Sequence, residues 1–301
     1  MKNDAKFYRQ IIAVIGITLL TAGVTRTGRA DQFTTIDVPA AFGSQTEPYA
    51  INPQGDIVGY YSDSSGNTHG FLLSRGKFTT IDVPGALLYT EPYGINPQGD
   101  IVGYYSDGTG THGFLLRKGK FTTFDVPGGE GSTFAQAINP QGVIVGSYDD
   151  ISGSTHGFLL SRGKFTTIDV PTGVGYNTYL DGINPEGDIV GNYDDSSGGN
   201  SFLLDRGSFT TFGVPGASFL NAIGINPEAD IVGFYVNNVG GGLHGFLLSK
   251  GTYTTIDVPA TFGSVTATTA INPQGDIVGF YQDASFNLHG FLLSHFSPAP
   301  H

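Results

Sequence analysis

Six times along the chain, a short segment carries two residues, two apart, whose types change from copy to copy. The first of the pair is Glu47, Glu91, Phe134, Tyr179, Asn221 and Ala267, and the second is Tyr49, Tyr93, Gln136, Asp181, Ile223 and Thr269. Carboxylates, amides and aromatic rings are the groups that grip polar ligands with apolar faces. On an extended strand, residues two apart share a face, so both sets are expected on one surface. Glu47, Tyr49, Glu91, Tyr93, Phe134, Gln136, Tyr179, Asp181 and Asn221 are therefore the candidate ligand-binding residues. Drift on a solvent rim would leave the same variability. Glu47, Glu91 and Asp181 could also supply a carboxylate pair for glycoside chemistry.

Other reactive side chains repeat without change, which argues for a frame. His69, His112, His156, His244 and His289 precede a Gly-Phe pair, with Asn200 in the fourth copy. The spacing places them on a wide ring that cannot converge on one metal ion, so each is expected as a buried ring bonded to a nearby loop. His295 and His301 stand apart in the tail. Asp37, Asp82, Asp125, Asp169 and Asp257 precede Val-Pro and are expected to accept backbone amides in Asx turns. Loops around Asp63, Asp107, Asp149, Asp150, Asp194, Asp195 and Asp283 are oxygen-rich enough for weak calcium binding but lack dense D-x-D-x-D spacing. No cofactor is expected. The stretch Asp63 to His69 approaches the Asp box of sialidase-like propellers but is one residue too long and lacks the closing aromatic. Nucleophile elbows, zinc helices, phosphate loops and dinucleotide fingerprints are absent from the sequence.

The elements that hold these residues come from one repeated unit. Phe-Thr-Thr-Ile-Asp-Val-Pro or a close variant starts at Phe33, Phe78, Phe121, Phe165, Phe209 and Tyr253. Each copy continues with Ile-Asn-Pro, a strand of the type Asp-Ile-Val-Gly-Tyr-Tyr, and a Phe-Leu-Leu strand. Asn-Pro-Gln-Gly at 52–55 suits a type I turn followed by a Gly bulge, and Ser-Arg-Gly-Lys at 74–77 suits a second tight hairpin. No window sustains a 3.6-residue period, so no helix is expected after the leader. Four strands every 43–45 residues is the spacing of a propeller blade. The fold class is therefore all-β, a six-bladed β-propeller of four-stranded blades. A capped open array is the structural alternative. Because the chain opens on a lone Phe-Thr-Thr-Ile strand and ends after a Phe-Leu-Leu strand, the first strand is expected to complete the last blade. Ile-Asn-Pro would then be innermost and Phe-Thr-Thr-Ile outermost.

Residues 1–30 read differently. Lys2, Lys6 and Arg9 precede an apolar run from Ile11 to Val24, and Gly28 and Ala30 offer a cleavage site before Asp31. The run is short for a bilayer span, and the expectation is a signal peptide, with 31–295 as the repeat domain and 296–301 as a tail. An uncleaved anchor is the alternative. Of 14 basic and 26 acidic residues, the mature chain keeps 9 and 25, a formal charge of −16. Such a surface disfavours nucleic acid and anionic lipid. With no cysteine, neither a disulfide framework nor a thiolate metal site is available.

The recurring unit, with His69-Gly70-Phe71 and its equivalents, resembles the HAF-type extracellular repeat of bacterial exported proteins over residues 33–294. Gly stands where that family has Ala, and Asn200-Ser201-Phe202 departs from the triplet. The resemblance implies export and a propeller fold, and it carries over no catalytic residue. The sequence thus points to a secreted or periplasmic monomer that binds an extracellular glycan or protein, or serves as a scaffold, with no membrane span after signal cleavage. The alternative is a carbohydrate-active hydrolase or lyase using rim carboxylates.

Overall fold

The structure is a computed structural model that describes residues 32–40, 42–171, 175–196, 198–237, 242–260, 262–263 and 265–294, the Glu130 side chain excepted. The expected signal peptide and the tail with His295 and His301 lie outside the described residues. Among the described residues the regular structure is entirely β, with no helix.

The strands follow the repeat. A first strand, β1 (Gln32–Ile36), precedes β2 (Ser44–Ile51), β3 (Ile57–Ser62), β4 (Thr68–Ser74) and β5 (Lys77–Ile81). Then come β6 (Tyr89–Ile95), β7 (Ile101–Ser106), β8 (Thr111–Arg117) and β9 (Lys120–Phe124), and β10 (Gly129–Ile138), β11 (Ile144–Asp150), β12 (Thr155–Ser161) and β13 (Lys164–Ile168). The second half holds β14 (Asn177–Ile183), β15 (Ile189–Asp195), β16 (Gly198–Asp205) and β17 (Ser208–Phe212), then β18 (Ala217–Ile225), β19 (Ile231–Asn237), β20 (Leu243–Ser249) and β21 (Thr252–Ile256). The chain finishes on β22 (Val265–Ile271), β23 (Ile277–Gln282) and β24 (Leu288–Ser294).

These strands form four sheets, three of four strands and one of twelve. Six separate sheets would follow from the repeat alone. The difference lies at two junctions, where the start of one repeat's first strand runs beside the third strand of the repeat before it. Single parallel pairs, Thr68 with Tyr89 and Thr111 with Ser132, join otherwise antiparallel runs there. The first strand pairs with the last, from Gln32↔Ser294 to Ile36↔Gly290.

Packing passes from each repeat to the next. Phe71, Phe114, Phe158, Phe202, Phe246 and Phe291 are fully buried. Each cluster around them takes one buried valine from the preceding repeat, as Val58 does beside Ile95, Ile101 and Phe114. Val278 of the last repeat sits in the same way against Ile51, Ile57 and Phe71 of the first, with Ile36 and Val38. Burying these two side chains contributes roughly 1.5–3 kcal/mol each.

A β-bulge recurs in the first strand of every repeat. Pro48 pairs with Gly59 and Ala50 with Val58, leaving Tyr49 unpaired, and Tyr93, Gln136, Asp181, Ile223 and Thr269 are skipped in the same way. The bulge explains the unvarying glycine of Ile-Val-Gly. At Gly59 a Cβ would strike the Glu47 carbonyl oxygen, which the bulge pushes toward it.

Candidate functional site

The six first strands surround one narrow channel, about 100 Å³ in volume, to which each contributes three consecutive residues. Tyr49, Tyr93, Gln136, Asp181, Ile223 and Thr269 form the upper ring, alanines and glycines the middle ring, and six isoleucines the lower ring. At about 30 Å³ per water, the channel has room for only a few solvent molecules. Anything larger would have to lie across the mouth.

The bulge corrects the simple alternation expected for the two candidate sets. Only the second set lines the channel. Glu47, Glu91, Phe134, Tyr179 and Asn221 stay in the ladder, opposite Tyr60, Tyr104, Ser147, Asn192 and Phe234. Most side chains of the two sets still meet, because the cross-strand partners link them.

One sector of the mouth is aromatic and acidic. Tyr60 donates to Glu47 Oε2 at 3.0 Å, and its hydroxyl lies 3.3 Å from that of Tyr49. Tyr104 donates to the Tyr93 hydroxyl at 2.9 Å, which donates to Glu91 Oε2 at 3.4 Å. The rings pack across the junction, with Tyr49 and Tyr93 tilted at 50° and their centroids 4.3 Å apart, and Phe134 edge-on to Tyr104 at 5.1 Å. Burial above all raises the Tyr60, Tyr93 and Tyr104 hydroxyls well above their ordinary value. They remain protonated donors that hold the two carboxylates in place.

A second sector is an amide network. Asn192 Nδ2 donates to Asp181 Oδ2 at 2.7 Å and to Asn221 Oδ1 at 2.5 Å, while Ser201 Oγ donates to Asn192 Oδ1 at 2.6 Å. Ser201 replaces the glycine of the His-Gly-Phe triplet, and its partner in the next repeat is the small Ala222, whose amide lies 3.2 Å from Ser201 Oγ. Where glycine remains, as at Gly70 and Gly157, a Cβ would meet Pro92 or Leu180 instead. Asp181 opens onto the channel yet is ringed by protein, and this burial, against the pull of Asn192, raises its carboxyl to about 7. Tyr179 donates its hydroxyl to Asp194 Oδ2 at 3.4 Å. The third sector is apolar, with Phe234, Leu243, Val265, Ala267 and Phe280 buried together and Tyr49, Phe219 and Ile223 against them.

The histidines lie on the outer rim and are only partly buried, which corrects the expected buried ring. His69 Nδ1 bonds Asp82 at 3.0 Å and its Nε2 bonds Asp63 at 3.3 Å. His112, His156 and His289 are clamped in the same way, by Asp125 and Asp107, Asp169 and Asp150, and Asp37 and Asp283, and His244 bonds Asp257. The Val-Pro aspartates thus take a histidine where an Asx turn was expected. The Asx turns belong to the loop aspartates, as when Asp63 Oδ1 accepts from Ser65 and Asn67. Partial burial opposes protonation of His69, His112, His156 and His289, but the aspartate bonds outweigh it and raise each above its ordinary value. Bonds from Asn67, Thr109, Ser152 and Asn287 hold Asp63, Asp107, Asp150 and Asp283 down to about 2. Among the described residues, no three acid or histidine side chains are placed to share a metal ion.

Sequence reasoning passed over Tyr60, Tyr104, Asn192 and Ser201. The signal of the first three was present in the first aromatic position of the Ile-Val-Gly-Tyr-Tyr strand, which reads Tyr60, Tyr104, Ser147, Asn192, Phe234 and Phe280 across the copies, and that of Ser201 lay in its departure from the His-Gly-Phe triplet.

Comparison by sequence finds no matching family model and no matching curated protein. Among solved structures, the chain is similar to TolB from Acinetobacter baumannii, with 13% identity, a TM-score of 0.58, and 80% of this chain and 64% of that one covered. It is also similar to the fucose-specific lectin from Aleuria aurantia, with 17% identity, a TM-score of 0.53, and 85% and 99% covered. A third likeness is to SapL1 lectin in complex with alpha methyl fucoside, with 10% identity, a TM-score of 0.55, and 84% and 94% covered. At these identities the likeness speaks to architecture alone: the chain has a β-propeller fold.

Proposed function

We propose that this chain is an exported, monomeric, six-bladed β-propeller that binds a glycan across the mouth of its channel. Strand pairing in antiparallel runs of four, with β1 beside β24, supports six blades closed by the first strand. The leader and the HAF-type resemblance support export to the periplasm or beyond. The observation that carries the glycan reading is the convergence of the variable positions on one mouth, where tyrosine rings stand beside carboxylates held by hydroxyl donors. Carboxylates accept hydrogens from sugar hydroxyls, and aromatic rings cover their apolar faces. The likeness to lectins of the same fold points to the same ligand class.

A hydrolase or lyase is the second reading, favoured by one feature: the Asp181 carboxyl, raised to about 7, stands near the proton-transfer optimum for neutral pH. A glycan array with the full chain, followed by product analysis on any glycan bound, separates the two. Binding without turnover that weakens in Glu91→Gln supports the lectin reading. Turnover abolished by Asp181→Asn supports the enzyme, and a blank array overturns both.

A further inference from the structure

A second cavity of about 240 Å³ lies between the first and second repeats and shares no lining residue with the channel. One of its lining side chains, Tyr89, points differently from two of its counterparts. At two equivalent junctions, the residue before the conserved threonine reaches across to the preceding repeat: Gln45 accepts from the Leu288 amide and Asn177 from the Thr155 amide, both at 3.1 Å. Tyr89 turns the other way, its hydroxyl 2.6 Å from Thr111 Oγ1 within its own repeat. Thr68, whose backbone pairs with Tyr89, lines the cavity with it.

The cleft has two unlike walls. Leu87 and Leu88 are 69% and 61% exposed, yet their amides both lie within bonding distance of the Ser106 carbonyl oxygen, at 2.8 and 3.4 Å. They are apolar side chains exposed to water on a backbone tied to Ser106. The lining also holds His69 and the exposed carboxylate of Asp82, 3.0 Å apart, together with Asn67. A purely apolar ligand would strip water from Asp82 without replacing its hydrogen bonds, which is unfavourable. An anion would meet Asp82 and Asp63. Room below roughly 300 Å³ is too little for a drug-sized molecule but suits one small ring.

From these walls we infer a second saccharide site that takes a single neutral ring bearing a methyl group. The methyl group rests on Leu87 and Leu88, and the ring hydroxyls donate to Asp82, which His69 holds in place. A 6-deoxyhexose is the simplest ring of this kind. The inference rests on the glycan-binding reading but concerns a different surface.

The test is ligand-observed NMR on the full chain with methyl α-L-fucoside and methyl α-L-galactoside, which differ only in a hydroxyl on C6. Saturation transfer is expected to peak at the C6 methyl, with the fucoside bound at least about tenfold more tightly. The double variant Leu87→Ser/Leu88→Ser, altered only at exposed side chains, should weaken the fucoside at least about tenfold and leave the melting temperature and the array pattern of mouth-bound glycans unchanged. Undiminished fucoside binding by the double variant overturns the inference, as does equal affinity for the two sugars. No fucoside binding alongside other glycans on the array overturns it while sparing the broader reading. Silence in both assays removes both.

Discussion

The two ends of the channel are built from the same six strands, two residues apart, yet they obey opposite rules. At the lower end, every copy presents isoleucine followed by a buried asparagine. Asn52 Oδ1 accepts the amides of Gln54 and Asp56, and Asn139 and Asn184 each reach the backbone carbonyl of the next repeat's asparagine. At the mouth, the first two copies share Glu and Tyr, and each of the other four offers a different pair of residues. The bulge accounts for the contrast. It removes the upper-ring residue from the ladder, so its side chain can change without disturbing a hydrogen bond between strands. The lower ring has no such freedom, because every asparagine there closes its own turn.

The largest test of this frame is deletion of residues 32–38. Removing them uncovers the edge of β24 and loses the buried Ile36 and Val38. A loss of roughly 3–6 kcal/mol is expected, or a melting temperature lower by about 6–24 °C for a domain of this size. An unchanged thermal melt would sink the idea that β1 closes the ring.

A paired substitution compares the two ends directly. Asn184→Ala strips acceptors and donors from Asp188 and from the Asn226 carbonyl oxygen and should cost about 1–3 kcal/mol. Gln136→Ala in the upper ring should change stability by less than about 0.5 kcal/mol. Urea titration reads both. Equal costs would mean that the mouth is frame as well.

Within the mouth, Asp181→Asn should stabilise the protein at high pH. A carboxyl raised to about 7 favours the folded state while protonated, so that contribution fades as pH climbs from the unfolded carboxyl range through 7. The variant keeps an acceptor for Asn192 and carries no charge. It should gain about 1–2 kcal/mol at pH 8, discounted for the side open to the channel, and nothing at pH 4. A gain independent of pH would show that Asp181 is not held near 7.

Much of this was legible in the sequence because repetition supplies its own alignment. Phe71 and its five equivalents mark the core strand, and the lone Phe33 strand marked the partner for Phe291, now seen in their paired rings 5.6 Å apart. The bulge at Tyr49 was not legible, since a one-residue shift leaves no trace in a pattern identical in all six copies. The pairing of Asp37 with His289 was hidden for a different reason. The two lie 252 residues apart, and an aspartate before Val-Pro can equally well cap its own turn. Tyr60 and Asn192 escaped notice because they sit in a strand whose Ile-Val-Gly stem looks like frame, although their own position varies.

The smallest expected effect separates the histidine clamp that joins the chain's ends from those within a repeat. His289 stacks on Tyr281 and bonds Asp37, just past the first strand, and Asp283 in its own loop. His69 makes the same contacts with Tyr61, Asp82 and Asp63, all nearby in sequence. Both imidazoles have raised pKa values, so their proton-linked contribution is complete below the ordinary histidine value of about 6.5 and disappears as pH rises through the raised one. Replacement by asparagine follows the fourth copy, where Asn200 stands naturally. His289→Asn and His69→Asn should each cost about 0.5–1 kcal/mol at pH 5.5, as partly exposed pairs do, with less cost at pH 8.5. Only His289→Asn should also speed release of the first strand, read as faster amide exchange across Phe33 to Ile36. A pH-independent cost would remove the charge from the clamp, and equal exchange in the two variants would remove its part in closure.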